Sequence, residues 1–115
     1  MSNATALRTV LEHVQEHQGD WRQDEWSNCF AGQTLRVLAG ATTVTSCCPG
    51  CGGLDVEGET LYGSNIGVRA AQLLELEPSQ AFRLFHAGNT LEQLGRMVEE
   101  FATADAPTLD VDLVA

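Results

Sequence analysis

Leu7, Val10, Leu11 and Val14 recur at i, i+3, i+4 and i+7. That spacing predicts an amphipathic helix from Ala4 to about His17, with Thr5 as its N-cap and Gly19 closing it. From Asp20 to Trp26 two tryptophans frame a pair of acids, the pattern of a short helical turn pinned to the core by indole rings. Ser27 or Asn28 is then placed to cap a helix from Cys29 to Ala39, with Phe30, Ala31, Thr34, Leu35, Val37 and Leu38 on a broad apolar face that ends at Gly40.

The period changes in the middle of the chain. Thr42 to Thr45 and Leu54 to Tyr62 read as strand-like, with Glu57-Gly58 as a turn, so a small β-hairpin or ordered loop is expected around residues 41–63. Helical spacing returns after Ser64, where Ile66, Ala70, Leu73 and Leu74 mark one helix. Pro78, at a first helical position, opens another that is expected to bury Ala81, Phe82, Leu84 and Phe85. Thr90 with Gln93 forms a capping box for the last helix, whose inner stripe is Leu91, Leu94, Met97, Val98 and Phe101.

The reading is therefore mainly α, at the margin of α+β: a single-domain bundle of five to six short helices over residues 1–101, with the Cys/Gly-rich insertion at 41–63. Residues 102–115 form an acidic tail expected to be flexible, although Leu109, Val111 and Leu113 alternate with aspartates and would suit a strand added to a sheet or a partner. The apolar stripes at the two ends of the chain should collapse together and leave the cysteine-bearing centre as an appendage.

Charge narrows the choice of partners. Six arginines and no lysine face sixteen acids, giving a formal net charge of −10 over 115 residues. Such a field repels phosphate backbones and anionic membranes, so nucleic acid is disfavoured and a protein with a basic surface is the better partner. A homodimer is an equal way to hide an apolar patch. No apolar run approaches membrane-spanning length and the N-terminus lacks signal-peptide character, so a cytoplasmic location, in a bacterium or its host cell, is expected. In a reducing compartment the four cysteines are thiols or metal ligands rather than disulfides.

Cys48-Pro49-Gly50-Cys51-Gly52 has the turn and spacing of half a tetrahedral zinc site. Cys29 is the best third ligand, and Cys47, or one of His13 and His17, the fourth, for one structural Zn²⁺. The plainer reading is unliganded thiols in a glycine loop and solvated histidines. Cys29 also stands at an expected helix N-terminus, where a thiol pKa is lowered, but no histidine spacing places a base beside it, and a small buried apolar residue accounts for it more simply.

Ala71 to Leu84 has the spacing of a helix-turn-helix, with Ser79, Gln80 and Arg83 on the face that would enter a groove of DNA. Against it, Glu75 holds the turn position that favours glycine, Glu77 would face phosphate, and the molecule is strongly anionic. Two packed helices of a bundle fit the same residues. Trp21 and Trp26 read as core or interface anchors in preference to a ligand-stacking pair.

Cys29-Phe30-Ala31-Gly32, Leu38-Ala39-Gly40, Ala70 to Leu76, and Asn89-Thr90-Leu91-Glu92-Gln93-Leu94 together resemble a group of small uncharacterised proteins of actinobacteria and their phages. The likeness spans most of residues 5–101, and its motifs are structural ones that imply no activity. Gln33 and Glu75 stand where that group tends to have tryptophan and glycine. The expectation is a non-enzymatic accessory protein acting by protein–protein binding, phage-encoded and directed at a host component. Its rival is a helix-turn-helix DNA-binding regulator carrying structural zinc.

Overall fold

Asn3, two places ahead of the expected Thr5, starts the first helix. In the computed structural model, which describes residues 3–23, 25–44 and 53–104, the Asn3 Oδ1 accepts the Ala6 N–H at 3.1 Å, and α1 runs Ala4–Glu16. Thr5 lies inside the first turn, and its carbonyl accepts the Thr9 hydroxyl at 2.8 Å. The backbone N–H of Asn3 also donates to the Leu74 carbonyl at 2.8 Å, so the same residue ties the start of α1 to a distant helix end.

Leu7, Val10 and Val14 on α1 are fully buried. They pack against α5, Leu91–Ala104, whose Leu94, Met97, Val98 and Phe101 line the facing stripe. The two ends of the described chain thus share one interior, and burial of each such side chain contributes about 1.5–3 kcal/mol. Arg8 and Glu99 bridge the seam at 3.2 Å. The Thr90–Gln93 box forms in both directions: Gln93 Oε1 accepts the Thr90 N–H at 2.8 Å, and Thr90 Oγ1 accepts the Gln93 N–H at 3.2 Å. α5 continues to Ala104, three residues into the span read as a tail, because Ala102 still faces the core at 6% exposure. Residues 105–115, with the alternation at Leu109, Val111 and Leu113, lie outside the described residues.

The chain leaves α1 through a 3-10 turn at Gln18–Asp20, earlier than the helical turn expected at Asp20 to Trp26. Residues 25–29 then form linked turns, with Cys29 N–H donating to the Glu25 carbonyl at 2.7 Å. Neither Ser27 nor Asn28 caps α2, Phe30–Ala39; Cys29 occupies that place and makes no side-chain cap bond. The first amide of the helix is met instead by Gln23 Oε1 at 3.2 Å. Gly40 ends α2 with φ +67°, the left-handed conformation glycine adopts without penalty.

β1 (Thr42–Val44), β2 (Gly53–Val56) and β3 (Glu59–Leu61) form an antiparallel sheet in the order β1-β2-β3. Leu54 pairs with Thr43 on one side and Leu61 on the other. Leu54, Val56 and Leu61 are buried in the common core, so the described strands of the insertion form a wall of the interior, while its cysteine segment lies outside the described residues. Its second hairpin turns at Glu57-Gly58, where both φ angles are positive, as a two-residue turn requires.

α3 spans Ser64–Leu74 and α4 spans Pro78–Leu84. Between them, Leu76 N–H donates to the Ala71 carbonyl at 2.9 Å and Glu75 N–H to the Gln72 carbonyl at 3.2 Å, a Schellman closure that puts Glu75 at φ +56°. α4 is only two turns long and can bury one narrow face. Leu84 and Phe85 take it, Ala81 is half-buried, and Phe82, expected inside, is 75% exposed. Its neighbours at 81, 84 and 85 hold the i, i+3, i+4 stripe, which turns residue 82 away by about 100°.

The fold is mainly α with a small β insertion, as the periodicities predict. Among the described residues no helix is long and apolar enough to cross a membrane.

Candidate functional site

α3, α4 and the turn at Trp26 enclose an open groove of about 640 Å³. α3 lends it Ser64, Gly67, Val68, Ala71 and Gln72, with Glu75 just past its end; this is one face over three turns. α4 lends Pro78, Ala81 and Phe82, and Cys29 and Phe85 lie beneath them. The wall is overwhelmingly apolar. Trp26 is 39%, Val68 58% and Phe82 75% exposed, and all three converge here. Large apolar side chains scattered singly over a surface need no explanation, but three around one concavity mark a place built to be covered.

The walls are held rigidly. A Cβ on Gly67 would lie 2.6 Å from Trp26 Cζ3, so the indole rests directly on the glycine and only this residue type lets it do so. The far wall is fixed by Gln23, 7% exposed. Its Nε2 donates to the Leu84 carbonyl at 3.1 Å and the His86 carbonyl at 3.0 Å. Its Oε1 accepts from the Trp21 indole at 2.9 Å as well as from Phe30. His86 stands at one end of the groove, edge-on to Phe82 with ring centroids 6.3 Å apart, its Nδ1 accepting the Gly88 N–H at 3.0 Å.

Cys29 is 1% exposed, and its thiol donates to the Trp26 carbonyl at 3.6 Å. Burial pushes the thiol pKa up, and this outweighs the backbone hydrogen bonds around Ala31 and Gly32 that favour the thiolate. Position at a helix N-terminus therefore does not activate it. We expect iodoacetamide at pH 7.5 to leave Cys29 unmodified in the folded protein, as peptide mapping would report. With a folded pKa above the ordinary 9.0, the thiol's contribution to stability is complete below pH 9 and is lost as pH rises through the folded value. Cys29→Ala should remove that alkaline component of the melting curve.

Of the other proposed zinc ligands only the two histidines are among the described residues. Cys47, Cys48 and Cys51 lie outside the described residues. His13 and His17 stack on each other with centroids 4.3 Å apart, and His17 Nδ1 lies 3.0 Å from the His13 carbonyl. Cys29 lines the groove, whereas His13 lines a second, polar cavity of about 570 Å³ with Asp20, Arg22, Glu25 and Arg36. Among the described residues no three His, Cys, Asp or Glu side chains are grouped closely enough to hold a metal. In the second cavity Arg36 is already committed, donating to Ser27, Asn28 and Thr43.

Two of the three helix-turn-helix residues are likewise paired within the chain. Gln80 Oε1 accepts the Glu77 N–H at 2.9 Å. Arg83 forms a two-pronged pair with Glu100 at 2.8 and 3.1 Å and lies over the Phe101 ring at 5.2 Å. Ser79 stays exposed on a seven-residue helix. Trp21 is half-buried against the core, so of the two tryptophans only Trp26 faces the groove.

The periodicities do not identify Gly67, Val68 or Gln23 as site residues. For Val68 the signal was present: it lies two residues beyond Ile66 and two before Ala70, off the buried stripe of its helix. No family model matches the chain, and no curated protein or solved structure matches it.

Proposed function

We propose that this chain is a non-enzymatic accessory protein that works by binding another protein in the groove between α3 and α4. The observation that carries this is the convergence of Trp26, Val68 and Phe82, all substantially exposed, on one apolar concavity. Leaving them in water forgoes burial worth about 25 cal/mol per Å², and a partner recovers it. The groove holds few polar groups; the best-placed thiol is buried and raised in pKa, and thus suited to packing rather than attack. The surface pairing of Gln80 and Arg83 within the chain, together with the net charge of −10, also favours protein over DNA. The resemblance to small actinobacterial and phage proteins points to an actinobacterial host component as the partner.

The test compares wild type with Val68→Asp and Phe82→Asp as immobilised baits in actinobacterial lysate, followed by titration of the purified captured protein. Both positions are exposed, so circular dichroism should report folded variants. A one-to-one complex with wild type, weakened at least tenfold by either substitution, is expected. Equal affinity for all three baits would remove the groove from the function.

A further inference from the structure

Resting on that reading, we propose that the occupant of the groove is an amphipathic α-helix of about three turns whose flanks carry Lys or Arg.

Hydrogen bonding sets the secondary structure. A peptide laid in an apolar groove as an extended strand must leave backbone N–H and C=O groups facing a wall that cannot answer them, at a cost of roughly 1–3 kcal/mol each. The sheet lies on other elements, and none of its strands lines the groove, so no strand edge is offered to pair with. A helix brings its backbone already satisfied and presents only side chains. The lining positions of α3 run from Ser64 to Glu75, and at 1.5 Å per residue this stripe is roughly 16 Å long, the length of about eleven helical residues. Small residues at Gly67, Ala71 and Ala81 allow close approach between the taller Trp26 and Phe82.

Charge sets the flanks. Among the described residues lining the groove, Glu75 supplies a carboxylate and no arginine takes part. Arg8, Arg69, Arg83 and Arg96 are spent on Glu99, Glu59, Glu100 and Glu92 respectively. The surplus of ten negative charges is thus left to attract a cation. Glu75 adds an observation of its own. It holds a left-handed φ of +56° that glycine would occupy without strain, and it does so where the groove meets the negative end of α3. A residue that costs the fold stability at the mouth of a binding groove fits a charge kept for the ligand.

The experiment uses the full chain and three labelled 14-residue peptides: Leu at i, i+3, i+4 and i+7 with Lys elsewhere; the same with Glu for Lys; and the Lys peptide with Ser for Leu. Fluorescence anisotropy at about 20 mM salt is expected to show saturable binding of the first peptide alone, weakened about thirtyfold by Phe82→Asp and progressively by salt. Glu75→Gly should raise the melting temperature while weakening that peptide roughly two- to fivefold, opposite signs that a purely structural role for Glu75 does not produce. Equal binding of the Lys and Glu amphipathic peptides would overturn the basic flanks while leaving the groove as a protein site. Binding of the Ser-substituted peptide as tight as the first would overturn the apolar anchors. Absence of saturable binding by all three peptides overturns this inference but not the proposed function, which is judged separately by the captured partner.

Discussion

Gly32→Ala should cost about 3 kcal/mol, although it replaces glycine by the best helix former in the first turn of α2. A Cβ at residue 32 would lie 2.3 Å from the Ser27 carbonyl oxygen and 2.6 Å from that of Trp26. Both are backbone atoms of the turn packed on α2, so no side chain can swing aside and the helix must be driven off the turn. Overpacking of this kind costs typically 1–3 kcal/mol and more when the backbone is the obstacle, against a propensity gain of about 1 kcal/mol. Gly95→Ala is the control. Gly95 lies inside α5 with open space where its Cβ would stand, so the same chemical change there should stabilise by up to about 1 kcal/mol. Urea unfolding of both variants gives the comparison, and a loss below 1 kcal/mol at Gly32 would show that α2 does not need this close approach.

That pair of glycines illustrates where sequence pattern carries and where it stops. Helical period places both in helices, and nothing local distinguishes Gly32, pressed on a turn, from Gly95, with open space where a Cβ would stand. The elements themselves were legible because their signals are local: the stripes of α1 and α5, Pro78 at the start of α4, the Thr90–Gln93 box and the Glu57-Gly58 turn. Caps failed where the partner was remote. Ser27 and Asn28 are reasonable caps for α2 by type, yet the first helical amide is answered by Gln23, seven residues upstream, across a chain of turns.

The groove was half-legible. Its most exposed large apolar side chains are the residues that violate the buried stripes, Val68 on α3 and Phe82 on α4. Taken with the stripe at 81, 84 and 85, Phe82 can be inside only if α4 is surrounded, and a two-turn helix next to proline is not. An apolar residue off the stripe of a short helix is thus a better pointer to a binding surface than to the core. What the pattern could not supply is the convergence, since Trp26 reaches Val68 and Phe82 only through the packing of its indole on Gly67.

Gln23→Ala should be the most damaging single change away from the apolar core, at about 4 kcal/mol. The amide uses both acceptor positions and both donors, so its orientation is dictated by what surrounds it. Removing it strands the Phe30 N–H and the Trp21 indole N–H, while the Leu84 carbonyl keeps Asn89 Nδ2 at 3.1 Å and the His86 carbonyl keeps the Asn89 N–H at 3.2 Å. Two unmet groups near the interior, at roughly 1–3 kcal/mol each, outweigh any gain in unfolded-state hydration. Gln23→Glu separates hydrogen bonding from volume. It keeps the shape and the acceptors but turns an anion toward two carbonyl oxygens, so the folded state must hold that carboxyl protonated and its pKa lies above the unfolded value of about 4.3. Its stability relative to wild type is then best below pH 4 and falls as pH rises through the folded pKa, the reverse of a carboxylate in an ion pair. A flat difference from wild type between pH 4 and 7 would mean that this side chain faces water and holds neither the start of α2 nor the end of α4. With the amide intact, the Trp26 turn and the helix bearing Phe82 are fixed to one another, which is why the groove exists before anything fills it.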